Sequence, residues 1–214
     1  NQSGSSQSSI GNPLLVERVA IEGISAAYSV HGRPADAARF GIVELGKEQG
    51  FDLVVSGINR GANVGDVSHL SGTVGAAMEA IYQGVPAIAV SQEVYDVDTA
   101  ASARFVAQLV ALYKDQGAPE DIVISINIPA GELVGVAVRP MGDSYLQTSA
   151  YHLERENEAR FSYERELIRV ETDNPMTDTY AYQQGYVTIT PLKFDWTAHE
   201  FLDQVRNWDL QLTD

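Results

Sequence analysis

Residues 51–92 read FDLVVSGINRGANVGDVSHLSGTVGAAMEAIYQGVPAIAVSQ. The stretch opens with FDLVVSG (51–57), a short apolar run of the kind found in parallel strands buried on both faces. A glycine-rich loop follows. Val74, Ala77, Met78 and Ile81 then recur at helical spacing, and the helix stops near Gly84. AIAVSQ (87–92) is a second buried strand.

The alternation continues downstream. TAASARFVAQLVALYKDQ (99–116) has a helical pattern and DIVISINIP (121–129) is again an apolar strand. This βαβαβ order predicts an α/β fold: a Rossmann-like, mostly parallel sheet with helices on both faces. Upstream, PADAARFGIVELGKEQ (34–49) begins with the proline that suits a first helical turn. It places Ala35, Ala38, Ile42 and Leu45 on one face, with Gly50 as the stop. Before it, LLVERVAI (14–21) and SAAYSV (25–30) are β-like, and residues 1–13 read as a loop.

Beyond Pro129 the composition shifts. VGVAVRPM (134–141) and YVTITPLKF (186–194) read as strands and HEFLDQVRNW (199–208) as a closing helix. The charge-dense RFSYERELIRVET (160–172) fits a solvated strand or hairpin arm. The expected organisation is therefore a core over residues 1–130 and a smaller module, an extended β-hairpin with a C-terminal helix, over 131–214.

The chain has 214 residues and no cysteine, so neither a disulfide nor a thiolate metal site is available, and a reducing cytoplasm is the natural setting. No apolar run approaches the roughly 20 residues needed to span a bilayer. The net charge of −15, from 29 acidic and 14 basic residues, repels nucleic acid duplexes and anionic membranes. It also repels small phosphates, so a phosphate enzyme of this charge needs a cation in its site.

The loop from Asn59 to Thr73 is where chemistry concentrates. Gly57, Gly61, Gly65 and Gly72 allow backbone to approach a ligand closely. Ser71-Gly72-Thr73 stands at a helix start, where unpaired N–H groups and the positive dipole end favour an anion. Asn59 and Asn63 add amides, and an Asn carbonyl oxygen suits a hard cation. Taken alone, the same residues read equally as a tight turn with Ser71 as N-cap. The spacing matches neither a P-loop nor a dinucleotide fingerprint.

At these residues a resemblance becomes specific. SGINRGANVGDVSHLSGTVGAAMEAIYQGVPAIAVS (56–91) resembles the signature stretch of the SurE family, stationary-phase survival proteins that are metal-dependent 5′/3′-nucleotidases. NQSGSS (1–6) is similar to that family's serine loop, VHGRPADAARF (30–40) to its helix start, and TDTYAYQQGYVTITPLKFDWTAH (177–199) to its C-terminal pattern. The resemblance implies a divalent ion, Mg²⁺ or Mn²⁺, held in part by Ser3 and Asn59. It further implies that Asn63, Ser71, Gly72 and Thr73 line the phosphate pocket. The family's remaining metal ligands, an adjacent aspartate pair on a strand before the serine loop, have no match in this sequence. The resulting expectation is weak metal binding and little phosphatase activity by these 214 residues alone. HLERENEARFSYERELIRVETDNP (152–175) departs most from the family. Hairpins at that place mediate homodimer or homotetramer assembly there, and the C-terminal helix swaps between subunits.

Other positions carry weaker signals. His69 precedes Ser71 and could touch a phosphate or leaving group; Asp195 and His199 either brace the rim of the site or mark a helix start. Asp66, Glu79, Asp36, His31 and His152 read as a turn acid, a helix-face charge, a dipole complement and two loop or strand-edge histidines.

The sequence thus points to a metal-dependent phosphomonoesterase acting on nucleoside 5′- or 3′-monophosphates, with short polyphosphate a further substrate. The alternatives are a catalytically impaired phosphate- or nucleotide-binding module and an assembly protein whose loop is structural.

Overall fold

The computed structural model describes residues 9, 11, 13–143, 145–157 and 160–208. Its centre is a sheet of five strands: β3 (Val54–Arg60), β4 (Ala87–Gln92), β5 (Ile122–Ile128), β6 (Gly135–Val138) and β9 (Tyr186–Lys193), in the order β3-β4-β5-β9-β6. β3, β4 and β5 run parallel; β9 pairs with β5 antiparallel and with β6 in parallel. Two helices link the parallel strands, α2 (Gly72–Tyr82) and α3 (Thr99–Gln116).

Alternation along β4 explains why a helix lies on each face. Ala87 and Ala89 pack with Val74, Ala77, Ala80 and Ile81 of α2, where small side chains let helix and sheet approach closely. Ile88 and Val90, both fully buried, face Val106 and the partly buried Phe105 and Leu109 of α3. Burying each of the valine and isoleucine side chains among these is worth about 1.5–3 kcal/mol, so the two half-cores clamp β4 from both sides.

The chain enters through a separate antiparallel pair, β1 (Leu15–Val19) with β2 (Ala27–His31), followed by α1 (Pro34–Phe40). Here the structure departs from the single helix expected over 34–49. After Phe40 the coil widens into a π-helical turn, Gly41–Leu45, which rotates the apolar stripe. Ala35 and Ile42 still reach the core, whereas Leu45 is exposed. Gly50 lies at φ 71°, as a helix stop requires.

The expected division at residue 130 does not divide the sheet, because β6 and β9 complete it. What stands apart is the hairpin of β7 (Leu146–Asn157) and β8 (Arg160–Arg169), which pair only with each other. A short helix, α4 (Asp178–Gln183), leads back into β9, and the described chain ends in a 3-10 turn (His199–Phe201) and α5 (Leu202–Arg206). Among the described residues, no helix is long and apolar enough to cross a membrane.

Candidate active site

The carboxyl ends of β3, β4 and β5 lie side by side, and the loop from β3 to α2 crosses them. Such a strand end is where open α/β sheets present ligand-binding loops. Gly57 begins the departure: at φ 125° its missing Cβ is what avoids the Val90 carbonyl oxygen on the neighbouring strand. The pairing with β4 shifts register between Ser56 and Asn59, so that Asn59 stands opposite Ser91. Asn59 Nδ2 then donates to the Gly61 carbonyl at 2.7 Å, and Gly61 N donates to the Gln92 carbonyl at 2.7 Å. With its amide nitrogen tied back to the chain, Asn59 keeps its carbonyl oxygen as the end that can meet a ligand.

Asn63 is the centre of a buried polar lattice. Its N–H donates to Asn127 Oδ1 at 2.7 Å, and Asn127 Nδ2 donates to the Asn63 carbonyl at 3.4 Å. One side-chain amide thereby imitates a neighbouring strand. Asn63 Nδ2 donates to Ser91 Oγ at 2.7 Å, and Ser68 Oγ donates to the Asn63 carbonyl at 2.6 Å. All four residues are buried, where an unpaired amide would be costly, so the lattice holds the loop in one arrangement.

From Ser68 the chain passes to the helix start. Ser71 N donates to the Ser68 carbonyl at 3.2 Å, and Ser71 Oγ accepts the Val74 N–H at 3.2 Å. The N-cap role read for Ser71 is therefore present in the structure. It leaves the amides of Gly72 and Thr73 as first-turn donors without intrahelical acceptors. Asn59, Ser91, Asn63, Ser68 and Ser71 form one continuous chain of contacts, so the candidate residues share one end of the sheet. Ser3 lies outside the described residues.

A second buried anchor was not singled out from sequence. Asp178, at the start of α4, is almost fully buried and accepts from Gly65 N at 3.1 Å, Gly142 N at 2.8 Å and Thr190 Oγ1 at 3.2 Å. Thr179 Oγ1 donates to the Asp143 carbonyl at 2.6 Å. Gly65, at φ 68°, is packed so closely that a Cβ would meet the Asp143 carbonyl and Thr179 Oγ1. Asp178 thus ties the loop to α4, to β9 and to the segment before β7. The polar Asn127 inside the apolar run IVISINI and the acid in TDT were the signals available for these two positions.

Glu93, just past β4, receives Arg169 from the hairpin root at 3.0 Å and the Tyr182 hydroxyl at 3.3 Å. Burial first, then Tyr145 and Glu93, push the Tyr182 phenol far above its ordinary range, so it remains a donor. Asp36 is nearly buried and accepts from Ser9 N at 2.6 Å, Ser9 Oγ at 2.7 Å and Arg33 N at 2.8 Å. Burial alone would raise its pKa, but these donors outweigh it and hold the carboxyl below its ordinary value. It anchors the N-terminal segment as well as complementing a helix dipole. Glu79 makes a bidentate contact with Arg39, at 2.8 and 2.9 Å, that locks α1 to α2. Asp66 is exposed. Asp195 accepts from Thr197 N and meets His199 Nε2, each at 2.8 Å; hydrogen bonds from Thr197, then His199, hold its carboxyl well below the usual range. His31 meets Glu17, and His152 meets Glu166, on exposed strand pairs.

Comparison with known proteins agrees with this architecture. The Survival protein SurE family matches over residues 1–148. The 5′-nucleotidase SurE of Clostridium botulinum (strain Eklund 17B / Type B) is 38% identical, covering 96% of this chain and 84% of that protein. The chain belongs to the SurE family. Another relative, the 5′-nucleotidase SurE of Pseudoalteromonas atlantica, is 37% identical, with 97% of this chain and 84% of that protein covered. The crystal structure of the SurE protein from Aquifex aeolicus superposes with a TM-score of 0.80 at 28% identity, covering 96% of this chain and 84% of that one.

The residues described fit a cation in part. Asn59 presents one carbonyl oxygen of the kind hard cations take. Among the described residues, no group of three or more His, Cys, Asp or Glu side chains converges as a metal cage.

Proposed function

We propose that this SurE-family chain is a metal-dependent phosphomonoesterase that hydrolyses nucleoside 5′- and 3′-monophosphates and accepts short polyphosphate. The relatives that share most of its length are named 5′-nucleotidases. The observation that carries the reading is the continuous chain of contacts that sets Asn59 and the start of α2 at one end of the sheet. In this reading the Gly72 and Thr73 amides and the Thr73 hydroxyl donate to the phosphoryl oxygens, where the helix dipole adds to their pull. Asn63 holds the loop that aims them. Asn59 and Ser3 contribute neutral oxygens to a bound Mg²⁺ or Mn²⁺. That ion, when present, polarises the phosphoryl group and activates a water. The protein works in the cytoplasm as a homodimer or homotetramer.

The test is phosphate release from nucleoside monophosphates by the full protein and by Asn59→Ala, titrated with Mg²⁺ and Mn²⁺. The expected loss is about 100-fold in kcat/KM, in the range seen for removal of a single oriented electrostatic group, with a higher metal requirement. Wild-type rates at unchanged metal dependence would remove Asn59 from the site. Nucleotide binding without phosphate release would replace the enzyme by a binding module.

A further inference from the structure

We infer that Glu93 is a positioning residue of the site: through the Gln92–Glu93 peptide and the Tyr182 ring it holds the β3–α2 loop in the arrangement its ligand groups need. The inference rests on the phosphomonoesterase reading above and adds a buried carboxylate that the reading leaves unused. Glu93 follows the last residue of β4 and is buried. Its Oε1 accepts the Val94 N–H at 3.0 Å, and its Oε2 accepts from Arg169 Nη2 at 3.0 Å and from the Tyr182 hydroxyl at 3.3 Å. Apolar packing often replaces a buried ionic contact at no loss of stability, so stability alone does not account for this one. What it supplies is direction, because donors from the hairpin root and from α4 converge on one oxygen.

The first route from Glu93 to the loop runs along the backbone. The Gln92 carbonyl accepts the Gly61 N–H at 2.7 Å, and the Glu93 N–H donates to the Ile128 carbonyl at 2.9 Å. Both groups belong to one planar peptide unit, whose C=O and N–H point in opposite directions. That unit bridges the loop on one side and the end of β5 on the other, and the Glu93 side chain fixes it from beyond the strand. One residue earlier, Ser91 Oγ accepts from Asn63 Nδ2 at 2.7 Å. Three successive residues thus hold Asn63, Gly61 and the hairpin root.

The second route runs through packing. Tyr145 and Tyr182 are buried in one cluster with Val64, their ring centroids 5.6 Å apart, and Val64 is wholly enclosed. Val64 stands between Asn63 and Gly65, the two loop positions whose N–H groups are taken by buried side chains. The Tyr182 hydroxyl has Glu93 as its acceptor, so the carboxylate sets the tilt of a ring packed under the loop. Backbone and floor of the loop therefore meet at one carboxylate. Displacing aligned groups by about 1 Å costs about 100-fold in rate, so a group that acts only through the loop still governs turnover.

The experiment compares Glu93→Ala, Glu93→Gln and Tyr182→Phe with the parent protein, by adenosine 5′-monophosphate turnover and by backbone amide exchange. Glu93→Ala is expected to lower kcat about tenfold with KM within about twofold, because alignment is lost and contact is not. Glu93→Gln, which keeps an acceptor oxygen, restores most of that rate. Tyr182→Phe removes the hydroxyl alone and lowers kcat about threefold. Combined with Glu93→Ala it adds nothing further, since both act through one contact. In the ligand-free protein the Gly61 amide exchanges about tenfold faster in Glu93→Ala, while Val90, in the middle of β4, keeps the parental rate. If Glu93→Ala does not fold, Tyr182→Phe carries the same two measurements, with the same pattern on a smaller scale. Equal acceleration at Gly61 and Val90, the mark of lost fold stability alone, overturns the inference, and so does an unchanged Gly61. Should the parent hydrolyse no phosphomonoester, the enzymatic reading fails, and exchange at Gly61 still decides whether Glu93 holds the loop.

Discussion

The β3–α2 loop and the β7–β8 hairpin both leave the sheet as long excursions, and they are held in opposite ways. Along the loop, buried partners fix the backbone at Asn63 through Asn127 and the Ser68 hydroxyl, and at Gly65 through Asp178. Every described residue of β8 is exposed, and the hairpin meets the core at its root, through Arg169 with Glu93 and Val170 N with the Tyr145 carbonyl. Two-stranded hairpins are marginal alone in water. The difference shows where shape is over-determined: at the strand ends that would receive a ligand.

Removing Asp178 is the most damaging way to break that comparison. Asp178→Ala leaves the buried Gly65 N–H and the half-buried Gly142 N–H without their acceptor, at a combined cost of about 3 kcal/mol. The expected outcome is a lower urea midpoint together with loss of phosphate release. Asp178→Asn, which keeps an acceptor oxygen, recovers part of both. An alanine variant with unchanged stability and kinetics would show that the loop is not held from α4.

These anchors also mark how far the sequence could be read. β3, β4 and β5 were legible because each is an apolar run flanked by a helix signal, and Ser71 was legible as a cap because its partner is three residues away. Asn127 and Asp178 were not, since their bonds to the loop join residues 64 and 113 positions apart. Local periodicity has no information about such partners. The antiparallel entry of β9 was hidden for the same reason: YVTITPLK has the pattern of a buried strand in either direction. Leu45 was placed on the core face because a regular 3.6-residue period was assumed through Gly41, where the helix widens instead.

Acid sharpens the comparison at an intermediate scale. The Ser9 and Arg33 donors hold the Asp36 carboxyl below its ordinary value of 3.8, so the unfolded chain binds a proton there more readily than the native one. The stability it contributes is complete above about pH 5 and is lost as pH falls through the depressed native pKa. Asp36→Asn is expected to cost about 1.5 kcal/mol at pH 7, as for hydrogen bonds to a charged group. The variant also loses less stability between pH 5 and pH 3 than the parent does. Parallel acid profiles for the two proteins would mean that Asp36 does not tether the N-terminal segment in this way.

The smallest effect belongs to the hairpin, and its dependence on concentration gives it meaning. Leu153 and Tyr163 face each other across β7 and β8, and both are exposed. In a dilute sample, Leu153→Ser with Tyr163→Ser is expected to change the unfolding free energy by less than about 0.5 kcal/mol, the usual range for surface substitutions. The proposed homodimer or homotetramer would bury this pair between subunits, so the cost then rises with protein concentration, because association adds to apparent stability by mass action. Urea unfolding at two concentrations 100-fold apart, read beside the sedimentation profile, separates the cases. A large cost that is equal at both concentrations would place the hairpin in the monomer's own cooperative core, and the contrast with the β3–α2 loop would disappear.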